Sequence, residues 1–296
     1  MEILQYIRWS PDPVIFDLGI VSVRWYGLLF ATGFLVGQYL MIHIFKKEGK
    51  PEQDVETLTI YMVLATVIGA RLGHCLFYDP VYYLSNPLEI LMIHKGGLAS
   101  HGAAFGILTA LYIYVNYFIR ASYFIGIVPY KFHSKKQKRK EQSYLWVVDR
   151  IVIVVALGGA CIRLGNLMNS EIVGIPSDVP WAFLFEKAYI YNDVPRHPAQ
   201  LYESLTMFVL FGLLLYIWNR QKQHMPEGLL LGIFLVWVFG LRFFHEFLKE
   251  NQSDFESNLP LNMGQLLSIP LVLAGIYLLL RIGKQKKQAD PGTVSR

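Results

Sequence analysis

The chain has 296 residues, of which 54% are hydrophobic and only 17% charged, and it carries a formal net charge of +5. That is too apolar for an ordinary soluble domain of this length and makes a polytopic membrane protein the leading class. The basic run KFHSKKQKRK has no partner motif that would make it a nucleic-acid site, and the two cysteines imply no disulfide framework.

Crossing a hydrocarbon core of about 30 Å takes roughly 20 mostly apolar residues, and seven stretches meet that need. The first, 20–44, follows 19 residues that lack the basic start, short apolar run and small-residue cleavage site of a signal peptide, so it is expected to stay. It opens on VRWYGLLF, with Arg24 and Tyr26 at its margin. The second, 57–78, ends in GARLGHCLFYDP, which carries Arg71 and Cys75. The third, 97–119, begins in KGGLASHGAAFG. There His101 stands among Gly96, Gly97, Gly102 and Gly106, residues small enough to let backbone or ligand approach closely. A lone histidine among apolar neighbours is by default a satisfied core group. A basic loop, 120–144, follows.

The fourth span, 145–165, contains Asp149, Arg150, Cys161 and Arg163 and runs into RLGNLMNSEIVG, with Asn166, Asn169 and Glu171 in quick succession. Cys75 and Cys161 have no metal-like spacing and read as small core residues. Residues 166–199 form a head segment that closes on RHPAQLYESL, where Arg196, His197, Gln200, Tyr202 and Glu203 could simply cap the fifth span, 200–218. In the sixth, 228–247, GLRFFHEFLKE places Arg242 and Glu246 four apart on one helix face, where they can pair. His245 and Glu246 lead to no second histidine at zinc-protease spacing. The seventh, 263–282, opens on LNMGQLLSIPLV with Asn262 as N-cap and Gln265 three residues on, as in a capping box, and a tail, 283–296, ends the chain. No 20 to 50 residue repeat and no mirrored second half is visible.

Short cytoplasmic loops hold the excess of Lys and Arg. Of the 27 such residues, 17 fall on one side: Lys46, Lys47, Lys50, the seven from Arg120 to Lys140, Arg220, Lys222 and the five from Arg281 to Arg296. Five lie opposite: Arg8, Lys95, Lys187, Arg196 and Lys249. With seven spans the N-terminus is expected outside and the C-terminus in the cytoplasm. Five arginines remain in or beside the spans. An arginine at mid-bilayer costs about 2.5–3.5 kcal/mol, so each needs a reason. Arg24, Arg71, Arg163 and Arg242 share the outer half, while Arg150 lies near the cytoplasmic end. One alone would snorkel or pair with a neighbour; four at one depth point to an anion site.

RWYG, GARLGHCLFYDP, GGLASHG, RLGNLMNSEIVG, RHPAQLYE, RFFHEF and MGQLLSIP occur in the order and spacing of the prolipoprotein diacylglyceryl transferase family, which the chain resembles over nearly its whole length. The resemblance implies an integral enzyme of the bacterial cytoplasmic (inner) membrane, its site toward the outer leaflet, with no metal or cofactor. It would move the diacylglyceryl group of phosphatidylglycerol onto the lipobox cysteine of prolipoproteins, forming a thioether and releasing glycerol phosphate. The fold expected is all-α, with about seven membrane helices and a small outer head region in one integral domain.

The chemistry accounts for the residue types. A thiolate must displace a phosphate monoester from a glycerol carbon, so negative charge grows on a leaving group that is already anionic, and fixed arginines can stabilise it in a water-poor site. Carried over by matched motif, Arg163 and Arg242 bind the phosphate, with Asn166 and Glu171 ordering the head-group pocket and Gly174 closing its turn. A free cysteine thiol has a pKa of about 8.5 and needs a base or a strong field. His101 is the matched candidate, as proton acceptor or as a hydrogen-bond partner of the lipid, and Tyr26 positions the lipid or that histidine. Glu246 orients Arg242; Gln200, Tyr202 and Glu203 brace the head, and Arg71 and Asn169 support the site.

Three positions depart from the family pattern: Ile162 and Ser170 replace usual glycines, and Val173 a usual tryptophan or similar bulky residue. The segment between Gly174 and Arg196 is short and the 120–144 loop long and basic, through topology or contact with anionic lipid. A transporter or channel for an anionic solute is the alternative. It would more naturally show repeated halves or spans broken at mid-depth. An intramembrane protease would need a G-x-S-x-G elbow or paired aspartates inside spans, and Asp149 stands alone.

Overall fold

The computed structural model describes residues 6–19, 22–93, 96–124, 128–136, 139, 141–190, 192–249 and 261–289. They are mostly helical. In chain order the elements are β1 (Ile7–Trp9), β2 (Val14–Asp17), β3 (Ser22–Arg24), α1 (Trp25–Lys47), α2 (Gln53–Phe77), α3 (Pro80–Ser85), a 3-10 turn (Pro87–Leu91), α4 (Ser100–Asn116), β4 (Tyr117–Phe124), β5 (Val128–Lys136), α5 (Tyr144–Met168), β6 (Phe183–Phe185), α6 (Ala199–Gln221), α7 (Leu229–His245) and α8 (Met263–Ala289). Among the described residues, six helices are long and apolar enough to cross a membrane: α1, α2, α5, α6, α7 and α8. The expected third span coincides with α4, whose 17 residues extend about 26 Å at 1.5 Å per residue, short of the hydrocarbon thickness.

All-α is too strict a description, because among the described residues three two-stranded β-pairings lie outside the helices. β1 runs parallel to β6, and β2 and β3 form a hairpin. The basic segment expected as a loop contains a third pairing, in which β4 and β5 run antiparallel from Tyr117↔Lys136 to Phe124↔Val128. Outside a span, a non-helical segment can still satisfy its backbone groups by pairing. The expected tail likewise begins as helix: α8 continues to Ala289 through Lys and Gln residues that favour helix.

The chain divides into two compact units, one made of Met1–Ile44 with Asp149–Arg296 and the other of Phe45–Val148. In the second, α2 and α4 touch backbone to backbone. A Cβ on Gly73 would lie 2.6 Å from Gly102 Cα, and one on Gly106 would lie 3.1 Å from Gly69 Cα. Lipid tails give no hydrophobic drive to helix pairing, so close glycine contact supplies the attraction instead. At the far end of these helices Asp54 takes Arg139 Nη1 at 2.6 Å and Gln142 Nε2 at 2.6 Å, and Gln142 accepts from the Tyr114 hydroxyl at 2.8 Å.

The first unit uses the same device. Gly33 and Gly37 of α1 leave room for Cys161 and Val154 of α5, and Gly232 of α7 faces Gly275 of α8. Polar ties lie between these contacts: Ser204 Oγ donates to the Ala160 carbonyl at 2.9 Å and Trp237 Nε1 to the Thr206 carbonyl at 3.1 Å. Beyond the end of α5, Leu167, Val173, Phe183, Phe185 and Ala188 form a small apolar cluster with Trp9, whose indole donates to the Leu167 carbonyl at 2.9 Å.

Asp149 explains its own presence in an apolar helix. Fully buried on α5, it accepts the Gly228 amide at 2.7 Å and the Leu231 amide at 2.8 Å, and so caps the start of α7 from outside. Asp149→Ala is expected to destabilise the protein by about 1–3 kcal/mol, since two buried donors lose their acceptor. The check is a lowered thermal unfolding midpoint in detergent, with Asp149→Asn, which keeps one acceptor oxygen, losing less.

Candidate functional site

The end of α5 shows why polar residues gather there. The Ser170 amide donates to the Leu167 carbonyl at 3.1 Å and the Glu171 amide to the Asn166 carbonyl at 3.0 Å, the pairing that closes a helix through a left-handed residue. Ser170 is that residue, with φ +54°. The usual glycine at this place avoids a cost that serine bears. Ile172 is left-handed too, at φ +57°, although a β-branched side chain resists it. Two such residues flank Glu171 and turn it back on the helix. Its carboxylate accepts from Asn166 Nδ2 and Asn169 Nδ2, each at 3.1 Å, and its carbonyl accepts from Gln200 Nε2.

Gly174 serves differently from expectation. It does not occupy the left-handed region that a turn would need; it is a point of close approach. Its amide donates to the His197 carbonyl at 3.0 Å, its carbonyl accepts from Arg196 Nη1 at 3.2 Å, and the next amide, of Ile175, donates to the Leu248 carbonyl at 3.0 Å. A Cβ there would stand 2.6 Å from the carbonyl oxygens of both His197 and Leu248.

Those contacts bring α5, α6 and the segment after α7 together, and a row of alternating charge runs through them. Arg163 Nε lies 2.5 Å from Glu203 Oε2, a charge contact, while the other Glu203 oxygen meets Lys249 Nζ. Lys249 Nζ is also 3.6 Å from Glu246 Oε1, and Arg242 Nε is 3.4 Å from the same oxygen. The Arg242 and Glu246 pairing expected from helix spacing is therefore present. The row is dry in the middle and open at its ends: the Lys249, Glu203 and Glu246 side chains are 4%, 10% and 11% exposed, against 28% for Arg163 and 47% for Arg242. Each arginine meets its carboxylate through Nε. Arg163 Nη1 makes only a long contact of 3.4 Å to Asn166 Oδ1. Two guanidinium edges held in this way suit an anion with several oxygens.

The start of α8 seats Glu246. The expected capping box is formed: the Asn262 amide donates to Gln265 Oε1 at 3.1 Å, and the Gln265 amide to Asn262 Oδ1 at 2.9 Å. The Asn262 side-chain amide also reaches Glu246 Oε2 at 3.3 Å. Gly264 must lack a side chain, because a Cβ there would lie 2.6 Å from the Glu246 carboxyl carbon. The spacing of Asn262 and Gln265 signals the box but not this second use.

Arg163, Asn166, Asn169, Glu171, Gly174, Gln200, Glu203, Arg242 and Glu246 thus share one network in the first unit. Tyr26 packs beside it, its ring so close to Gly165 that a Cβ would come within 2.6 Å of Cδ2. Tyr202 makes a chain of its own: Trp181 Nε1 donates to its hydroxyl at 2.8 Å, and that hydroxyl lies 3.1 Å from His197 Nδ1. Tryptophan can only donate, so the Tyr202 hydroxyl oxygen accepts from Trp181.

The other two expected residues belong to the second unit. His101, exposed in the first turn of α4, has the rings of Phe77 and Tyr78 at 5.4 and 5.9 Å. Arg71 is buried, and its guanidinium donates to the carbonyls of Glu89 (2.5 Å), Ile90 (2.9 Å), Gly96 (2.6 Å) and Gly97 (3.3 Å), with the Tyr83 ring 5.0 Å away. It ties α2 to the segment that follows. Lys249 is the residue that sequence reasoning missed, having counted it as a charge of an outside loop. Its spacing of three from Glu246 was the available signal.

Comparison with known proteins gives a single direction. Residues 13–281 match the family model described as prolipoprotein diacylglyceryl transferase. A relative from Chloroherpeton thalassium named phosphatidylglycerol--prolipoprotein diacylglyceryl transferase is 47% identical, over 96% of this chain and 97% of its own length. Relatives of the same name from Tolumonas auensis and Bacteroides fragilis are 42% and 39% identical, over 94% and 96% of this chain and 98% of their own lengths.

Burial pushes the His197 imidazole below its ordinary range. The folded protein therefore holds it neutral to lower pH than the unfolded chain does, which takes up its proton near pH 6.5. This contribution to stability is complete above that value and is lost as pH falls through it, because the unfolded state then binds more protons. Thermal unfolding between pH 8 and pH 5 should show that acid decline, and His197→Gln should flatten it.

Proposed function

Since the chain belongs to the prolipoprotein diacylglyceryl transferase family, we propose that it transfers the diacylglyceryl group of phosphatidylglycerol to the lipobox cysteine thiol of prolipoproteins, the first step of lipoprotein maturation. The relatives' names support the two substrates. The observation that carries the reading is the charge row, because it holds two arginines by their Nε edges at the ends of a dry carboxylate and lysine core.

In this reading the cysteine sulfur attacks the terminal glycerol carbon of the diacylglyceryl group. A carbon–sulfur bond forms and the carbon–oxygen bond to phosphate breaks. The departing glycerol phosphate gains one negative charge, and the thiol proton passes to a base, for which His101 is the candidate. Arg163 and Arg242 receive the growing phosphate charge. Such fixed donors act most strongly where water is excluded, since they need no reorganisation at the moment of reaction. Asn166 and Glu171 order the head group, Tyr26 packs against the lipid, and Gln200, Tyr202, Glu203, Asn169 and Arg71 hold the frame. Gln200 Oε1, Asn169 Oδ1 and Ser170 Oγ are buried without a hydrogen-bond partner among the described residues, which suits a neighbour rich in hydroxyl donors such as a glycerol head group.

The finer topology follows from the charge count. We take α4 as a seventh crossing, with the N-terminus outside, the C-terminus in the cytoplasm, and the site facing the outer leaflet of a bacterial inner membrane. The excess of Lys and Arg on one set of loops supports this.

Purified protein given labelled phosphatidylglycerol and a lipobox peptide should yield a diacylglyceryl thioether peptide and free glycerol phosphate. A peptide that stays unmodified under conditions where a relative works would sink the reading. Arg163→Ala should lower turnover by about 10²–10³, the scale of one lost charge-stabilising donor, with membrane insertion unchanged.

A further inference from the structure

Lys249 has no part in the reaction as written, yet it lies at the centre of the row. Its side chain is only 4% exposed, and its ammonium lies against the Glu203 and Glu246 carboxylates. Its place is also fixed independently of its charge: Lys249 bridges to Gly174 through the backbone, and the preceding Leu248 carbonyl accepts from Ile175. Opposite it, Glu246 is seated by the Asn262 amide and the bare Gly264 backbone.

We propose that Lys249 is a positioning residue: its ammonium holds Glu203 and Glu246 so that each carboxylate takes one arginine by the Nε edge and leaves the rest of the guanidinium for phosphate. This rests on the transferase reading above. The row contains three cations and two carboxylates, a net charge of +1. Without the lysine the net is zero, and the two buried carboxylates have only the arginines as cations of the row, with the Asn262 amide still at Glu246. Each guanidinium is then pulled toward its carboxylate and away from the substrate. The loss is greatest when the phosphate carries its second negative charge, which is in the transition state rather than in bound substrate.

The test is steady-state turnover of the full-length protein with phosphatidylglycerol varied at saturating lipobox peptide, for the native chain, Lys249→Met and Lys249→Arg. Lys249→Met should lower kcat by about 10–30-fold, below the effect of a direct donor because it acts through others, while KM for the lipid shifts less than about threefold. Lys249→Arg should stay within about threefold of native kcat, since it keeps the charge. A Lys249→Met kcat equal to native overturns the proposal, as does a change confined to KM, which would mean that the lysine binds lipid directly. If Lys249→Met does not fold, Lys249→Arg decides alone: a kcat loss like that of Arg163→Ala overturns it. Native turnover with an unaffected lysine variant removes only this inference, whereas absence of native turnover removes the transferase reading and this inference with it.

Discussion

A carboxylate withdrawn from water needs a cation or a hydrogen-bond donor at its oxygens, and Glu203 has Arg163 at one and Lys249 at the other. In a low-dielectric interior a half-paired carboxylate would cost several kcal/mol, so this arrangement is a condition for burial. It also joins separate pieces of the first unit, since Arg163 lies in the last turns of α5, Glu203 in the second turn of α6, and Lys249 after α7. Glu246 carries the same logic to the start of α8 through Asn262.

The helices that bear these charges approach by a different principle. Glycines at 33, 37, 232 and 275 in one unit and at 69, 73, 102 and 106 in the other remove side chains where backbones or neighbouring side chains meet. Close packing does for these apolar helices what the hydrophobic effect does in water. A few charges then set the register of a scaffold whose surfaces would otherwise be interchangeable. The division of labour resembles that in which a polar residue in an apolar seam fixes pairing at some cost in stability.

What could be read from the sequence was local. Arg242 and Glu246, four apart, and Asn262 and Gln265, three apart, are neighbours on a helix surface, so spacing alone brings them together. The long apolar runs gave the membrane helices for a similar reason. The ion pair of Arg163 with Glu203 spans 40 residues and that of Glu203 with Lys249 spans 46, and no periodicity reaches so far. A count of basic residues registers Lys249 only as an outer-side charge and says nothing of its two carboxylate partners. Arg71 was grouped with the anion-facing arginines because its partners are backbone carbonyls, which leave no mark in a side-chain pattern. The pairs of β1 with β6 and β2 with β3 escape notice too, since three or four residues are too few to show an alternation, while β4 and β5, eight and nine residues long, lie in a segment whose charge reads as a loop.

The choice of carbonyls by Arg71 has a further effect. Every peptide unit carries the same oxygen, so the acceptors at 89 and 90 would survive most changes of side chain there, whereas Gly96 and Gly97 are left-handed and a Cβ on Gly97 would lie 2.9 Å from Arg71 Nη1. Apart from those two glycines, the path of the segment after α2 is thereby decoupled from its spelling. Drift in its residues can alter the surface it offers while its course past α2 is held from beneath by one arginine.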